Sequence, residues 1–153
     1  MGKRRQAREL AIKVLFHLEF NPGDPEEVFH LICESFGSSE STIPFSKELV
    51  LGVCGNKEHV DKLIRRSSEN WRLERMSYVD RCILRLGVFE ILFMEDIPPK
   101  VSIDEAVELG KKYGTEDSGA FINGILDNIY NKLESSNTFN KEIKNSEKGN
   151  IWS

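Results

Sequence analysis

No stretch of this 153-residue chain approaches the ~20 consecutive apolar residues that a membrane span requires, so no membrane segment is expected. The N-terminus has charges but no apolar run behind them, which argues against a secretory signal. Cysteine is scarce. Cys33, Cys54 and Cys82 form no CxxC pair and stand in no ligand spacing with His17, His30 or His59, so no metal is expected. Each sits among apolar neighbours, as a small core residue does in a reducing cytoplasm. Glycine-rich phosphate loops are missing in both Walker and dinucleotide form, as are GxSxG, HExxH and any Cys–His pair on a plausible loop. Asp80, Glu90, Asp104, Glu105 and Asp127 are carboxylates at helical spacing, and such residues ordinarily line helix surfaces. No active site and no cofactor are expected.

Helical periodicity is what the sequence does contain. No segment alternates as a strand would; apolar residues recur with a period of 3.6. Ala7, Leu10, Ala11, Val14, Leu15 and Leu18 make residues 3–20 an amphipathic helix. Asp24-Pro25 is a cap and first-turn pair for a second helix, which carries Val28, Phe29, Ile32 and Phe36 and stops at Gly37. A third starts near Pro44, and a fourth runs from about Glu58 to Trp71. Ser77 to Met94 is apolar nearly all round in its second half, which places it at the centre of a bundle; Pro98-Pro99 then ends it. The sixth helix opens on Ser102-Ile103-Asp104-Glu105, read as a capping box, with Gly114 available at its end. A seventh begins near Asp117 or Ser118 with Phe121, Ile122, Ile125, Leu126, Ile129 and Leu133 on one face. Inside it, Asn123-Gly124 marks close helix packing or a satisfied buried amide. The expected fold is all-α, a compact bundle of about seven helices in two halves meeting near Trp71. Residues 1–134 form the domain and 135–153 a polar, disordered tail in which Ile151 and Trp152 stand isolated.

Charge is distributed unevenly. The formal net charge is −4, yet residues 1–13 hold five basic side chains against one acidic. Residues 14–134 hold 13 basic and 22 acidic ones. Lys3, Arg4, Arg5 and Arg8 occupy the start of a helix, where cations face the positive end of the macrodipole at roughly 0.3–1 kcal/mol each. That cost suggests a use outside the fold, though a merely solubilising terminus accounts for the pattern too. Ile12 and Phe16 fall beside the arginines, off the main stripe, so basic and apolar groups lie together as phosphate holding and base stacking require. Four phosphate contacts on a single strand correspond to a log–log salt slope of about −3. The reading fails if the guanidinium groups are tucked into intramolecular ion pairs where no ligand can reach them.

Four blocks of residues carry a family resemblance. Arg4-Arg5-Gln6-Ala7-Arg8-Glu9-Leu10-Ala11 resembles the RRxAREcA opening of the NusB family. Asp80-Arg81-Cys82-Ile83-Leu84-Arg85-Leu86 with Glu90 continues it, followed by Pro99-Lys100-Val101-Ser102-Ile103-Asp104-Glu105-Ala106-Val107-Glu108-Leu109 with Lys112-Tyr113-Gly114. Asp117-Ser118, Phe121-Ile122-Asn123-Gly124 and Leu126-Asp127 close the series, in family order, over residues 3–127.

The resemblance implies two helical subdomains around a long central helix and no enzymatic activity. It implies binding to the boxA segment of ribosomal RNA leader transcripts, together with NusE, a small-subunit ribosomal protein, in an antitermination complex with RNA polymerase in the cytoplasm. By the same resemblance Arg4, Arg5 and Arg8 contact RNA with Lys3 beside them, joined by Lys112, Ser118 and Phe121. Phe16, Glu74, Asp80, Arg81 and Asp117 fall to the partner side. Gln6 replaces an arginine of some relatives and weakens the electrostatic attraction. Asp117 as a plain helix cap and Phe121 as a core residue stay open at this point, as does a homodimer that hides the basic patch. The rival functions are a protein-interaction module without its own RNA role and an RNA methyltransferase, whose separate cofactor-binding α/β domain is not expected here.

Overall fold

The computed structural model describes residues 2–37, 39–68 and 72–147, with side chains described to residue 136. Seven α-helices and no strand occur among the described residues: α1 (Lys3–Phe20), α2 (Pro25–Phe36), α3 (Ile43–Gly55), α4 (Lys57–Ser67), α5 (Tyr78–Phe93), α6 (Pro99–Tyr113) and α7 (Ser118–Glu147). A single 3-10 turn, Leu73–Arg75, precedes α5. Trp71, where the two halves were expected to meet, lies outside the described residues, as do Ile151 and Trp152. The seventh helix continues past residue 134, where the composition turns polar.

Local signals account for most of the boundaries. The Asp24 carboxylate accepts the Glu27 N–H at 3.3 Å, and Pro25 takes the first helical position of α2. Gly37 ends that helix at φ 60°, the left-handed conformation that glycine adopts without steric cost. The Ser77 hydroxyl accepts the Asp80 N–H at 3.1 Å and starts α5. Every residue from Cys82 to Glu90 is then buried. That continuous burial makes α5 the central helix: it packs against α1 and α3 on one side and α4, α6 and α7 on the other. Helices α1, α2 and α3 pack on one another as one group, and α6 and α7 pair as the core of the second.

Two expectations about the second group are overturned. The sixth helix begins at Pro99, a turn before Ser102, and its first turn contains no acidic residue. Proline already supplies the helix start, so Ser102 lies inside the helix, buried, and donates its hydroxyl to Glu90 Oε1 at 2.8 Å. Asn123 and Gly124 are both exposed, and a Cβ on Gly124 would meet nothing within 4 Å. Close helix approach is made elsewhere. A Cβ at Gly52 of α3 would lie 2.0 Å from Phe89 Cζ of α5, so the ring occupies the space a side chain would need.

Two buried ionic networks cross the interfaces of α5. Arg8 of α1 grips Glu90 with two hydrogen bonds of 2.8 Å each, and Arg85 grips Asp61 of α4 at 2.8 and 3.0 Å while also pairing with Glu19 of α1. No helix among the described residues is long and apolar enough to cross a membrane.

Overpacking a close helix crossing costs about 1–3 kcal/mol, more than the ~1 kcal/mol of helix propensity that alanine returns. Gly52→Ala is therefore expected to lower the urea midpoint of unfolding; an unchanged or raised midpoint would refute the α3–α5 contact as described.

Candidate nucleic-acid interface

The basic residues at the start of α1 divide by their angle around the helix. Lys3 and Arg4 point outward and are exposed, Arg5 is half-buried, and Arg8 faces inward with 3% of its side chain accessible. Carboxylates from elsewhere in the chain meet all three arginines. Arg4 pairs with Asp96 of the α5–α6 loop at 3.0 Å, a contact open to solvent on both sides. Arg5 holds Glu105 of α6 through two hydrogen bonds, 3.1 and 2.5 Å long. Arg8 is saturated by Glu90, with a further contact of 3.3 Å to Glu105. Phe45 of α3 packs beneath this group, its ring centre 4.9 Å from the Arg4 guanidinium carbon and 5.6 Å from that of Arg8.

Arg8 therefore presents no open guanidinium face to a ligand in this structure. Its guanidinium is spent inside the fold, tying α1 to α5 and α6, and a phosphate could reach it only by opening that interface. Arg4 and Arg5 keep 53% and 43% of their side chains accessible, so guanidinium N–H groups remain to face a ligand beside the carboxylate. Ile12, placed beside them by helical geometry, is buried in the core.

A narrow cleft of about 110 Å³ runs between α1 and α6, lined by Arg5, Glu9, Glu105, Glu108, Leu109 and Lys112. Lys112, from the last turn of α6, donates to Glu9 at 2.6 Å and stands 5.3 Å from the centre of the Tyr113 ring. The Glu105 carboxyl is held below the ordinary carboxylate range, first by its hydrogen bond from Arg5 and then, against the opposing effect of burial, by the charges of Arg5 and Arg8. The Lys112 ammonium is pushed up by its hydrogen bond to Glu9. Both shifts favour the charged forms of Glu105 and Lys112.

Farther along the same face of α1 stand Phe16 and Phe20, 37% and 53% exposed. Their rings meet edge-on at 5.1 Å, and Phe20 lies 4.6 Å from Tyr78 at the start of α5. Arg81 lies over the Tyr78 ring at 4.9 Å and donates to the main-chain oxygens of Glu74 and Met76. Glu74 itself pairs with Arg65 at 2.8 Å in the open.

Beyond this aromatic strip is a second, wider cavity of about 360 Å³, lined by Arg75, Met76, Ser77, Asp80, Thr115, Asp117, Ser118 and Phe121. It brings together residues from the start of α5 and the start of α7 that sequence spacing could not connect. Phe121 is half-buried on its wall and Asp117 is exposed at its edge. Ser118 is 1% exposed, and its hydroxyl oxygen accepts the Thr115 N–H at 2.9 Å. Its hydroxyl shapes the turn into α7, so little of it faces outward. Asp80 Oδ1 is buried at the cavity with no hydrogen-bond partner among the described residues.

Pairing across helices is the part that periodicity missed. Glu105 was legible as an acidic residue of a helix start, but its partner lies 100 residues earlier. Phe20 and Tyr78 carried a signal as aromatics near element ends, and Arg75 as a cation beside the α5 cap. Nothing in their spacing joined them to the other site residues.

Comparison with known proteins identifies the family of the fold. The model of the NusB family matches residues 5–131. The chain belongs to the NusB family. It is 52% identical over 131 residues to the transcription antitermination protein NusB of Desulforapulum autotrophicum, covering 84% of this chain and 92% of that one. The corresponding protein of Myxococcus xanthus is 47% identical over 84% of this chain and 95% of its own length. Among solved structures, T. maritima NusB superposes with a TM-score of 0.78 at 42% identity, covering 84% and 90% of the two chains. NusB in a crystal structure of the antitermination factors NusB and NusE with double-stranded RNA gives 0.78 at 31% identity, over 85% of this chain and 97% of that one.

Removing one member of a buried ion pair leaves an uncompensated charge, at a cost of about 3–5 kcal/mol, whereas an apolar replacement of both is close to neutral. Arg8→Met is thus expected to destabilise the fold strongly in chemical denaturation. Arg8→Met combined with Glu90→Leu is expected to recover most of the loss. A single variant as stable as the parent would show that Arg8 is not held as described.

Proposed function

We propose that this chain is a transcription antitermination factor that binds the boxA segment of ribosomal RNA leader transcripts together with NusE, and so helps RNA polymerase pass terminators. The work is done by binding in the bacterial cytoplasm, where transcripts are made, with no bond chemistry.

The observation that carries this reading is a cationic edge kept accessible on an acidic chain of NusB fold: Lys3, Arg4 and Arg5 on α1, and Lys112 at the end of α6. Phosphates of a single strand lie along this edge, where contacts set position without reading sequence. The 360 Å³ cavity is wide enough to admit an unpaired base against Phe121, with Arg75 at its wall. NusE, as a basic ribosomal protein, takes the aromatic strip of Phe16, Phe20 and Tyr78 with the acidic groups around it, Glu74, Asp80 and Asp117. Exposed aromatics bordered by opposite charge to the partner's are the composition of an interface core and rim. The buried Asp80 Oδ1 then meets a donor from the partner. Two weak RNA binders joined in this way hold one transcript more tightly than either alone.

A gel shift with boxA RNA, with and without NusE and over a salt series, tests the reading. Arg5→Glu reverses a charge at an accessible phosphate contact and is expected to weaken binding by about tenfold or more, since a hydrogen bond to a charged group is worth ~1.5–3 kcal/mol. Helicity by circular dichroism should be retained. Retention of NusE with RNA affinity unaltered at low salt would instead favour a protein-interaction module whose arginines serve the fold.

A further inference from the structure

The accessible cations of the proposed RNA edge do not stand alone. Arg4 faces Asp96, Arg5 faces Glu105, and Lys112 faces Glu9, at 3.0, 2.5 and 2.6 Å. The α1–α6 cleft holds the cations Arg5 and Lys112 against three carboxylates, Glu9, Glu105 and Glu108. Glu9 and Glu105 are well shielded, with 13% and 16% of their side chains accessible, whereas their cationic partners keep 49% and 43%. Glu9 and Glu105 thus form the floor of the cleft, and Arg5 and Lys112 its rim, where Glu108 is also exposed. Stability alone does not require this arrangement at Lys112, because a pair with one exposed member contributes about 0–1 kcal/mol.

We propose that Glu105 and Glu9 act as built-in counter-charges that hold down the sequence-independent attraction of the RNA-binding edge. The inference rests on the reading of that edge as the RNA site. A phosphate approaching Arg5 or Lys112 meets a charge already matched. To gain a full contact it displaces the carboxylate, which then recruits a salt cation, or it shares the cation with the carboxylate and feels its repulsion. In either case the net release of salt ions on binding is smaller than for four free cations. The salt slope is then shallower than the roughly −3 expected of four unmatched phosphate contacts. An RNA that offers phosphates alone gains little, and occupancy is left to base contacts and to NusE. This matters because a transcript's site competes with a large excess of unrelated sequence.

A merely structural role for these carboxylates predicts the opposite sign. If Glu105 served only to orient Arg5, neutralising it would weaken RNA binding. If it is a counter-charge, neutralising it strengthens binding. Glutamine removes the charge at constant shape and keeps one of the two acceptor oxygens, so at Glu105 the two-bond grip of Arg5 becomes a single hydrogen bond.

The test measures affinity for boxA RNA and for a scrambled single strand of equal length, with NusE present, over a salt series, for the parent, Glu105→Gln, Glu9→Gln and Arg5→Ala. Both glutamine variants are expected to bind the scrambled strand about two- to fivefold more tightly, the scale of one surface ion pair. Their salt slopes should be steeper than the parent's. Unchanged or weaker scrambled-strand binding in both, with Arg5→Ala still weakening boxA binding, overturns the counter-charge role and leaves the RNA site standing. If Arg5→Ala leaves boxA binding intact, the RNA site itself fails and the inference with it. Glu9→Gln keeps the outcome readable should Glu105→Gln disturb the α1–α6 contact, since Glu9 is hydrogen-bonded to Lys112 and acts on Arg5 only through its charge.

Discussion

Three helices meet at one buried ion pair. Arg8 comes from α1, Glu90 from α5, and Ser102 from α6 closes the set with a hydrogen bond to the same carboxylate. Taking two charges out of water costs several kcal/mol each, and the interaction recovers this only with tight geometry and extra hydrogen bonds. The second condition is met by Ser102 and by the approach of Arg8 to Glu105. Because guanidinium and carboxylate are planar forks, a two-bond contact fixes orientation as well as distance. The first turns of α1 are therefore held at a defined angle against α6, and Arg4, Arg5 and Glu9 inherit their positions from that angle. The position of the cationic edge follows from a pair buried beneath it.

Much of this was legible in the sequence, and the failures have a common cause. A period of 3.6 finds helices, and a cap such as Asp24 finds a helix start, because both depend on residues within a turn of each other. The near absence of a polar face in the second half of Ser77–Met94 was enough to place α5 at the centre. Arg8 shows where such reasoning stops. On charge pattern it is one of a group with Arg4 and Arg5, and only the long-range meeting with Glu90 separates it from them. Ser102 and Glu105 failed in the same way. Their spacing fits a capping box, but Pro99 had already begun the helix, which freed both side chains for partners across the interface. Ser118 was read as a ligand contact from its place in a family block, and its hydroxyl is engaged by the turn.

Along the face of α1 the chemistry changes in a consistent direction. Residues 5, 9, 16 and 20 recur on one side of the helix and pass from cation, to carboxylate, to exposed aromatic. Lys112 bridges to the carboxylate, and Tyr78 extends the aromatic end toward the cavity beneath Phe121. A polyanion and a protein partner can thus engage neighbouring parts of one surface without competing for the same groups. The two ends ask different physics of their ligands. The cationic end responds to salt, whereas the aromatic end gains from apolar area removed from water, on which salt has little direct hold.

The start of α1 also resolves an apparent conflict between fold and function. Its first turn has cations where the helix dipole favours acids, and Gly2 offers no side-chain cap. In isolation such a helix start would be poor. The missing negative charge is supplied from a distance by Asp96 and Glu105, which lie beside the basic residues in space but not in sequence. Acids placed in the first turn of α1 would serve the dipole equally well but would replace the cations. Acids brought from α6 leave the cations at the rim and put the compensation behind them. A helix start can then be electrostatically satisfied within the fold and still present positive charge to the outside.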